Sequence, residues 1–206
     1  MSRSPSHPEH QGKRMRKLIA GLKVSLDGKV AGPTGIADWV DAWSEDYDLT
    51  SHIDACVLGR SMYPGYEAYW TAVQNAPDGP SPITGKPPTP GELEWGRFAS
   101  RTAHYVLSNS PTTALWQNTG FLKTVEELAV LKQQQGKHIY LVGGAGTVAS
   151  LLDAGLIDEI RLIVYPLVAG EGTTPFETTK RRHALKLLST RRMQGGRVWL
   201  NYELDR

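Results

Sequence analysis

Three short runs in this chain carry residues that could do chemistry, and each follows an apolar stretch. The strongest is Gly143-Gly144-Ala145-Gly146-Thr147, placed between the apolar run His138 to Val142 and a helix-forming segment. Gly144, Gly146 and Ala149 have the spacing of a dinucleotide fingerprint. Glycines let a backbone approach a pyrophosphate without a Cβ in the way, and the helix behind offers unpaired N–H groups and its positive dipole end. A glycine-rich turn that holds no ligand is the alternative reading. A Rossmann domain usually places this turn after its first strand, with an acid about 20 residues later. Here it lies in the last third of the chain, which keeps the phosphate site and argues against the Rossmann fold.

The second and third runs are Gly59-Arg60-Ser61 and Ser108-Asn109-Ser110. A guanidinium grips a phosphate in bidentate fashion, and hydroxyls complete the shell. Ligands of open α/β sheets gather at the carboxyl ends of the strands, so all three runs could line one cleft. Asp27 stands in Ser25-Leu26-Asp27-Gly28-Lys29, just past the first apolar run. A carboxylic acid there could donate a proton if partial burial raised its pKa. The plain alternative is a turn aspartate, because Asp-Gly is a favoured turn pair.

The elements that must position these residues follow from the apolar pattern. Strands are expected at Arg16–Leu26, Ala55–Gly59, His104–Leu107, Ala114–Trp116, His138–Val142 and Glu159–Tyr165. Two more, Lys186–Arg192 and Arg197–Leu204, flank Gln194-Gly195-Gly196 as a hairpin. Helices are expected from an N-cap at Ser44 to about Asp54, from an N-cap at Thr124 to about Gln135, and over Thr147–Ala154. Arg60 to Trp70 reads as a short, partly helical segment broken at Pro64-Gly65. Gln74 to Gly91, with six prolines, reads as a long surface loop. Alternating strands and helices predict a mostly parallel sheet covered on both faces, with a terminal antiparallel hairpin.

Composition narrows the function. The 206 residues are 40% hydrophobic, which suits one globular domain over 15–206 behind a disordered tail, 1–14. The net charge of +2 comes from the tail, since five of the basic residues and one acid fall within the first 17. The acidic body argues against nucleic acid as a partner. The basic residues Lys180-Arg181-Arg182 and Arg191-Arg192 read as a solvated face. No run nears the ~20 apolar residues of a membrane helix. The single cysteine, Cys56, fits a reducing, cytoplasmic setting and reads as a buried structural thiol. No ligand set for a metal stands out.

Taken together, SLDGK, LGRSMY, YVLSNS, IYLVGGAGTVASLLDAGLIDEIRL and YPLVAGEGTTPF resemble the dihydrofolate-reductase-like superfamily. The chain is most similar to the reductase domain of the bacterial deaminase-reductases of riboflavin synthesis and to that domain's stand-alone relatives. The resemblance spans roughly Met15 to Leu204. It implies a three-layer α/β fold, a homodimer, and an NADPH-dependent reductase acting on a small-molecule substrate. It further implies that Arg60 and Ser108, with Gly59, Ser61 and Asn109 beside them, face the 2′-phosphate. Gly143, Gly144, Ala145, Gly146 and Thr147 would hold the pyrophosphate, and Ser25 to Gly28 would border the nicotinamide. Asp27 would be the catalytic proton donor or orienter, and Trp39 would face the substrate. A phosphoribosylamino-pyrimidine is the first substrate implied and a pterin the second. An enzyme acting on an unrelated small molecule and a non-catalytic nucleotide-binding protein remain as alternatives. Two departures matter. LGRSMYPGYEAYW replaces the Gly-x-x-Thr and Asp-Pro pattern of the riboflavin reductases, and no deaminase signature is present. The substrate acid of true dihydrofolate reductases has no clear counterpart, although Asp38, Asp41, Glu45 and Asp46 lie in the right part of the chain.

Overall fold

The computed structural model describes residues 15–44, 47–110 and 113–205; the expected tail lies outside them. The core is an eight-stranded sheet of order β4-β3-β2-β5-β1-β6-β8-β7. Its strands are β1 (Leu18–Ser25), β2 (Ile53–Gly59), β3 (Ala103–Leu107), β4 (Thr119–Leu122), β5 (His138–Gly143), β6 (Glu159–Tyr165), β7 (Leu185–Arg192) and β8 (Val198–Leu204). The pairings from β4 across to β6 are parallel. β8 runs antiparallel to both β6 and β7. This is the predicted sheet with its C-terminal hairpin.

All eight residues of β1 are buried, because both faces of the sheet are covered. Leu18, Ala20, Leu22 and Val24 point to one face. There they meet α3 (Val125–Gln133) and α4 (Ala145–Asp153) through Leu128, Leu131, Val148, Leu151 and Leu152. Ile19 and the neighbouring Cys56 and Leu58 of β2 point to the other face. That face is closed by α1 (Tyr63–Asn75) and α2 (Pro90–Ala99), which contribute Tyr66, Tyr69, Trp70 and Trp95. The result is helices, sheet, helices, with an aromatic layer on one side and an aliphatic layer on the other. Cys56 is buried, as expected, and is in no disulfide among the described residues.

The structure departs from the sequence expectations in four places, each for a local reason. The helix expected over 44–54 is absent from its described part. Asp48 adopts a left-handed φ of 57°, which an α-helix does not accommodate; only a 3-10 turn at Thr50–His52 precedes β2. Pro64 opens α1 instead of breaking it, since the first helical turn has no need of its N–H. The proline-rich stretch conceals α2, whose capping box pairs Thr89 with Glu92. Finally, Ala114–Trp116 is not a strand. The N–H groups of Leu115 and Trp116 donate to Oε1 of buried Glu67, both at 2.8 Å, and the fourth strand forms at Thr119–Leu122.

Candidate active site

Parallel pairing brings the carboxyl ends of β3, β2, β5, β1 and β6 to one edge of the sheet. Gly59 is in register with Leu107, Leu58 with Gly143, and Ser25 with Tyr165. The loops after these strands therefore stand in a row: Ser108-Asn109, Arg60-Ser61, Gly144 to Thr147, Leu26 to Gly28, and Pro166 to Gly170. The pairing of β1 with β5 covers Leu18–Ala20 against Ile139–Leu141, while β1 continues to Ser25 beside β6 alone. The two central strands thus part toward their carboxyl ends and open a crevice in the middle of the row.

On one side of the crevice lies the glycine turn. Gly144 is the N-cap of α4 at φ 85°, a backbone conformation open to glycine at little cost. This starts the helix at Ala145, two residues earlier than expected. The first intrahelical bond runs from Val148 N–H to Gly144 O. The N–H groups of Ala145, Gly146 and Thr147 have no acceptor within the helix, as in the first turn of any helix. A Cβ on Gly59 would lie 2.1 Å from Thr147 Oγ1, so Gly59 is the residue that lets β2 approach the start of α4. A Cβ on Gly146 would meet nothing within 4 Å, leaving open space above the turn. Arg60 is exposed, and among the described residues its guanidinium has no partner. Ser61 is exposed beside it. Ser108 Oγ donates to Ser110 O at 2.8 Å and its N–H binds Leu122 O, which shapes the third loop with Asn109 exposed. Free N–H groups, an unpaired guanidinium, two nearby serines and open space above a glycine form a cradle that fits the phosphates of a dinucleotide.

On the other side stands Asp27. Its carboxylate accepts from Ser25 Oγ at 2.6 Å, Ala169 N–H at 2.9 Å and Gly170 N–H at 2.8 Å. Ser25 Oγ in turn accepts from Lys29 N–H, and Leu26 N–H binds Leu167 O. Asp27 therefore ties the loop after β1 to the loop after β6. The Ser25 hydroxyl, then the two backbone donors, hold its pKa down at about 2 from the ordinary 3.8. The side chain is exposed, so the burial that would have raised its pKa is missing. With three donors on its carboxylate, the geometry of Asp27 matches the orienting alternative. Sequence reasoning missed its partners Ala169 and Gly170, which are 142 and 143 residues away. Leu26 and Val168 flank this clamp at 68% and 70% exposure and leave an apolar lip at the crevice.

Trp39 lines a cavity of about 240 Å³ with Gly32, Ile36, Asp38, Leu167 and Ala169. Ala169 is shared with the Asp27 clamp. The loop carrying Trp39 is anchored by buried Lys23, whose Nζ donates to Ala42 O at 2.8 Å and Ser44 O at 3.0 Å. Trp43 N–H adds a bond to Glu92 Oε1 at 2.9 Å. Burial pushes the Glu92 carboxyl up, but donors from Thr89, Trp43 and Tyr69 outweigh it and keep the group ionised. Trp39 Nε1 is buried without a partner among the described residues. Of the expected cofactor residues, Gly59 to Ser61, Ser108-Asn109 and Gly143 to Thr147 stand at the carboxyl ends of β2, β3 and β5, and Ser25 and Gly28 at that of β1, while Trp39 lies beside the β6 loop at Leu167 and Ala169. Among the described residues no cluster of His, Cys, Asp or Glu stands ready for a metal ion.

Residues 16–198 match the RibD C-terminal domain. The chain belongs to the RibD C-terminal domain family. Protein YyaP of Bacillus subtilis (strain 168) is 31% identical over 195 residues, covering 92% of this chain and 95% of that protein. Among solved structures, a riboflavin biosynthesis protein from Shewanella sp. PV-4 superposes with a TM-score of 0.67 at 19% identity, covering 92% of this chain and 99% of that one. Dihydrofolate reductase from Enterococcus faecalis, solved with NADP(H), superposes with a TM-score of 0.58 at 15% identity, covering 92% and 97%. These structural likenesses establish the dihydrofolate-reductase-like fold that the RibD C-terminal domain shares.

Proposed function

We propose that this RibD C-terminal domain is an NADPH-dependent reductase of a small heterocyclic substrate. The observation that carries the reading is the crevice between β1 and β5, with a phosphate cradle on one side and a Trp39-lined cavity on the other. When bound, NADPH supplies hydride to a C=N or C=O bond. The N–H groups of Ala145 to Thr147 and the Arg60 guanidinium bind its phosphates, with Ser61, Ser108 and Asn109 completing the shell. Arg60 favours the extra phosphate of NADPH over NADH. Leu26 and Val168 give the nicotinamide an apolar surface that excludes water. The Asp27 clamp ties the loops after β1 and β6 together and would hold the cofactor and substrate pockets in a fixed relation. The proton that completes the reduction would come from solvent, with Asp27 orienting the loops that border the site.

Mixing the protein with NADPH and following absorbance loss across a panel of pyrimidines and pterins tests this reading. Cofactor binding without oxidation by any member would favour a non-catalytic nucleotide-binding protein. The homodimer implied by the resemblance belongs to the same proposal. Leu185, Leu187 and Leu188 at one end of β7 are exposed, and neighbouring exposed apolar side chains of this kind can mark an interface. Sedimentation at micromolar concentration should show a dimer, and Leu187→Lys should shift it toward monomer. A cytoplasmic location is also part of the proposal; no helix among the described residues is long and apolar enough to cross a membrane.

A further inference from the structure

The reductase reading leaves one buried carboxylate without a role. Glu67 is 5% exposed in the second turn of α1. Three donors converge on its Oε1: the Tyr63 hydroxyl at 2.7 Å and the N–H groups of Leu115 and Trp116, both at 2.8 Å. Among the described residues no Lys or Arg pairs with it. A carboxylate is costly to bury unless donors of this kind hold it, and an apolar side chain would fill the same space without that penalty. What the carboxylate adds is a fixed point for backbone.

That backbone is a crossover with no helix of its own. β3 ends at Leu107 and β4 begins at Thr119, the two parallel and in register from His104 with Thr119. Parallel neighbours usually need a dozen or more connecting residues, most often with a helix among them. Here 108–118 make the return, and their described part holds neither helix nor strand. The crossover starts with Ser108-Asn109, where Ser108 N–H donates to Leu122 O at 2.8 Å. Further along it is held to α1. Glu67 takes the Leu115 and Trp116 amides, Thr71 Oγ1 accepts from the Trp116 indole at 3.0 Å, and the Tyr63 and Thr119 hydroxyls pair at 2.6 Å. Tyr63 opens α1 just beyond Arg60. Met62 before it reaches the glycine turn, since a Cβ on Gly143 would lie 3.3 Å from its Sδ.

Glu67 therefore joins the element that follows Arg60 to the element that begins with Ser108. The pairing of Gly59 with Leu107 fixes where both loops leave the sheet, and the Glu67 pin decides where the crossover goes next. Resting on the reductase reading, we propose that Glu67 is a positioning residue for cofactor selectivity. It holds 108–118 against α1 so that Ser108-Asn109 and Arg60 converge on one phosphate, the one that distinguishes NADPH from NADH. Being buried, it acts only through the crossover.

The test titrates wild type, Glu67→Gln, Ser108→Ala and the double variant with NADPH and with NADH, following nicotinamide fluorescence, and records melting temperatures alongside. Glutamine keeps the size of the side chain and loses the charge, so the two backbone donors are held more weakly. Glu67→Gln should bind NADPH about fivefold more weakly or worse, and NADH within about twofold of wild type. The losses from Glu67→Gln and Ser108→Ala should fall short of additive, because both act on one loop. Equal losses for the two cofactors would reduce Glu67 to a packing role and overturn the proposal. So would additive losses, or unchanged NADPH binding in a variant that melts lower. If Glu67→Gln does not fold, Tyr63→Phe carries the test by removing one donor and the tie to Thr119; it should weaken NADPH more than NADH, and an unchanged ratio overturns the proposal. A wild type that binds neither cofactor would sink the reductase reading and this inference with it. One that binds NADPH but reduces nothing would remove the first and leave the second to the binding ratios.

Discussion

The two sides of the crevice are built in different ways. The phosphate side is made of main chain: a strand, a glycine turn and a helix start, with one arginine and a few hydroxyls around it. The proposed substrate side is lined by side chains of two loops, 32–39 and 167–169, which meet only in the folded chain. The first side is positive and repeats a general solution to binding phosphate. The second is acidic and apolar, and its selectivity rests on a few residues. A site assembled from main chain tolerates sequence change around it, whereas a site assembled from loops changes its ligand with single substitutions.

The comparison can be broken most directly at Arg60. Arg60→Ala should weaken NADPH binding by about 10–100-fold, the cost of a charge-assisted phosphate contact, and leave NADH nearly unaffected. Equal losses for both would mean that Arg60 does not read the extra phosphate. Gly59→Ala probes the main-chain character of the same side. Its methyl would displace the Thr147 hydroxyl, so both NADPH and NADH should bind about tenfold more weakly, a cost of ~1.4 kcal/mol. The double variant Gly59→Ala/Thr147→Ala should recover most of any lost melting temperature, because the clash partner is gone. No recovery would show that the close approach of β2 and α4 is not what Gly59 serves.

Asp27→Asn sharpens the boundary between the two sides. An amide still accepts from Ala169 or Gly170 but loses the charge, so turnover should fall while NADPH affinity holds. The folded carboxyl sits at about 2 against an ordinary 3.8, so its stabilising contribution is present above about pH 3.8 and lost as pH falls through 2. The pH–rate profile should therefore show no limb between pH 5 and 8 that Asp27→Asn removes. Such a limb would restore Asp27 as the proton donor. The smallest effect is expected far from both sides, at fully buried His104. Burial pushes its imidazole down to about 4 from 6.5, so the folded protein keeps it neutral. Stability is highest above pH 6.5 and declines as pH falls toward 4, where the unfolded chain takes up the proton first. His104→Phe should melt lower at pH 7 yet lose less between pH 7 and 5 than the wild type.

The same contrast explains what the sequence made legible. Elements with a strong local pattern were readable: β1, β5, β6, the hairpin, and the turn that starts α4 all lie where the residues predict. So do the loops that carry Arg60 and Ser108, because parallel strands bring their carboxyl ends together whatever lies between. The misread segments were decided by distant partners or by backbone conformation. Leu115 and Trp116 turned away from a strand because Glu67 accepts their N–H groups. The 44–54 stretch failed as a helix at Asp48. The capping box Thr89 to Glu92 was a readable signal obscured by the prolines before it. Asp27 was found, but its donors Ala169 and Gly170 follow a different strand and could not be read locally.

The central claim, that the phosphate side is an NADPH site, is tested most directly by titrating the protein with NADPH and following the fluorescence of the nicotinamide. The account predicts saturable binding at one cofactor per chain and at least tenfold weaker binding of NADH. Absence of saturable binding, or equal affinity for the two cofactors, would contradict it.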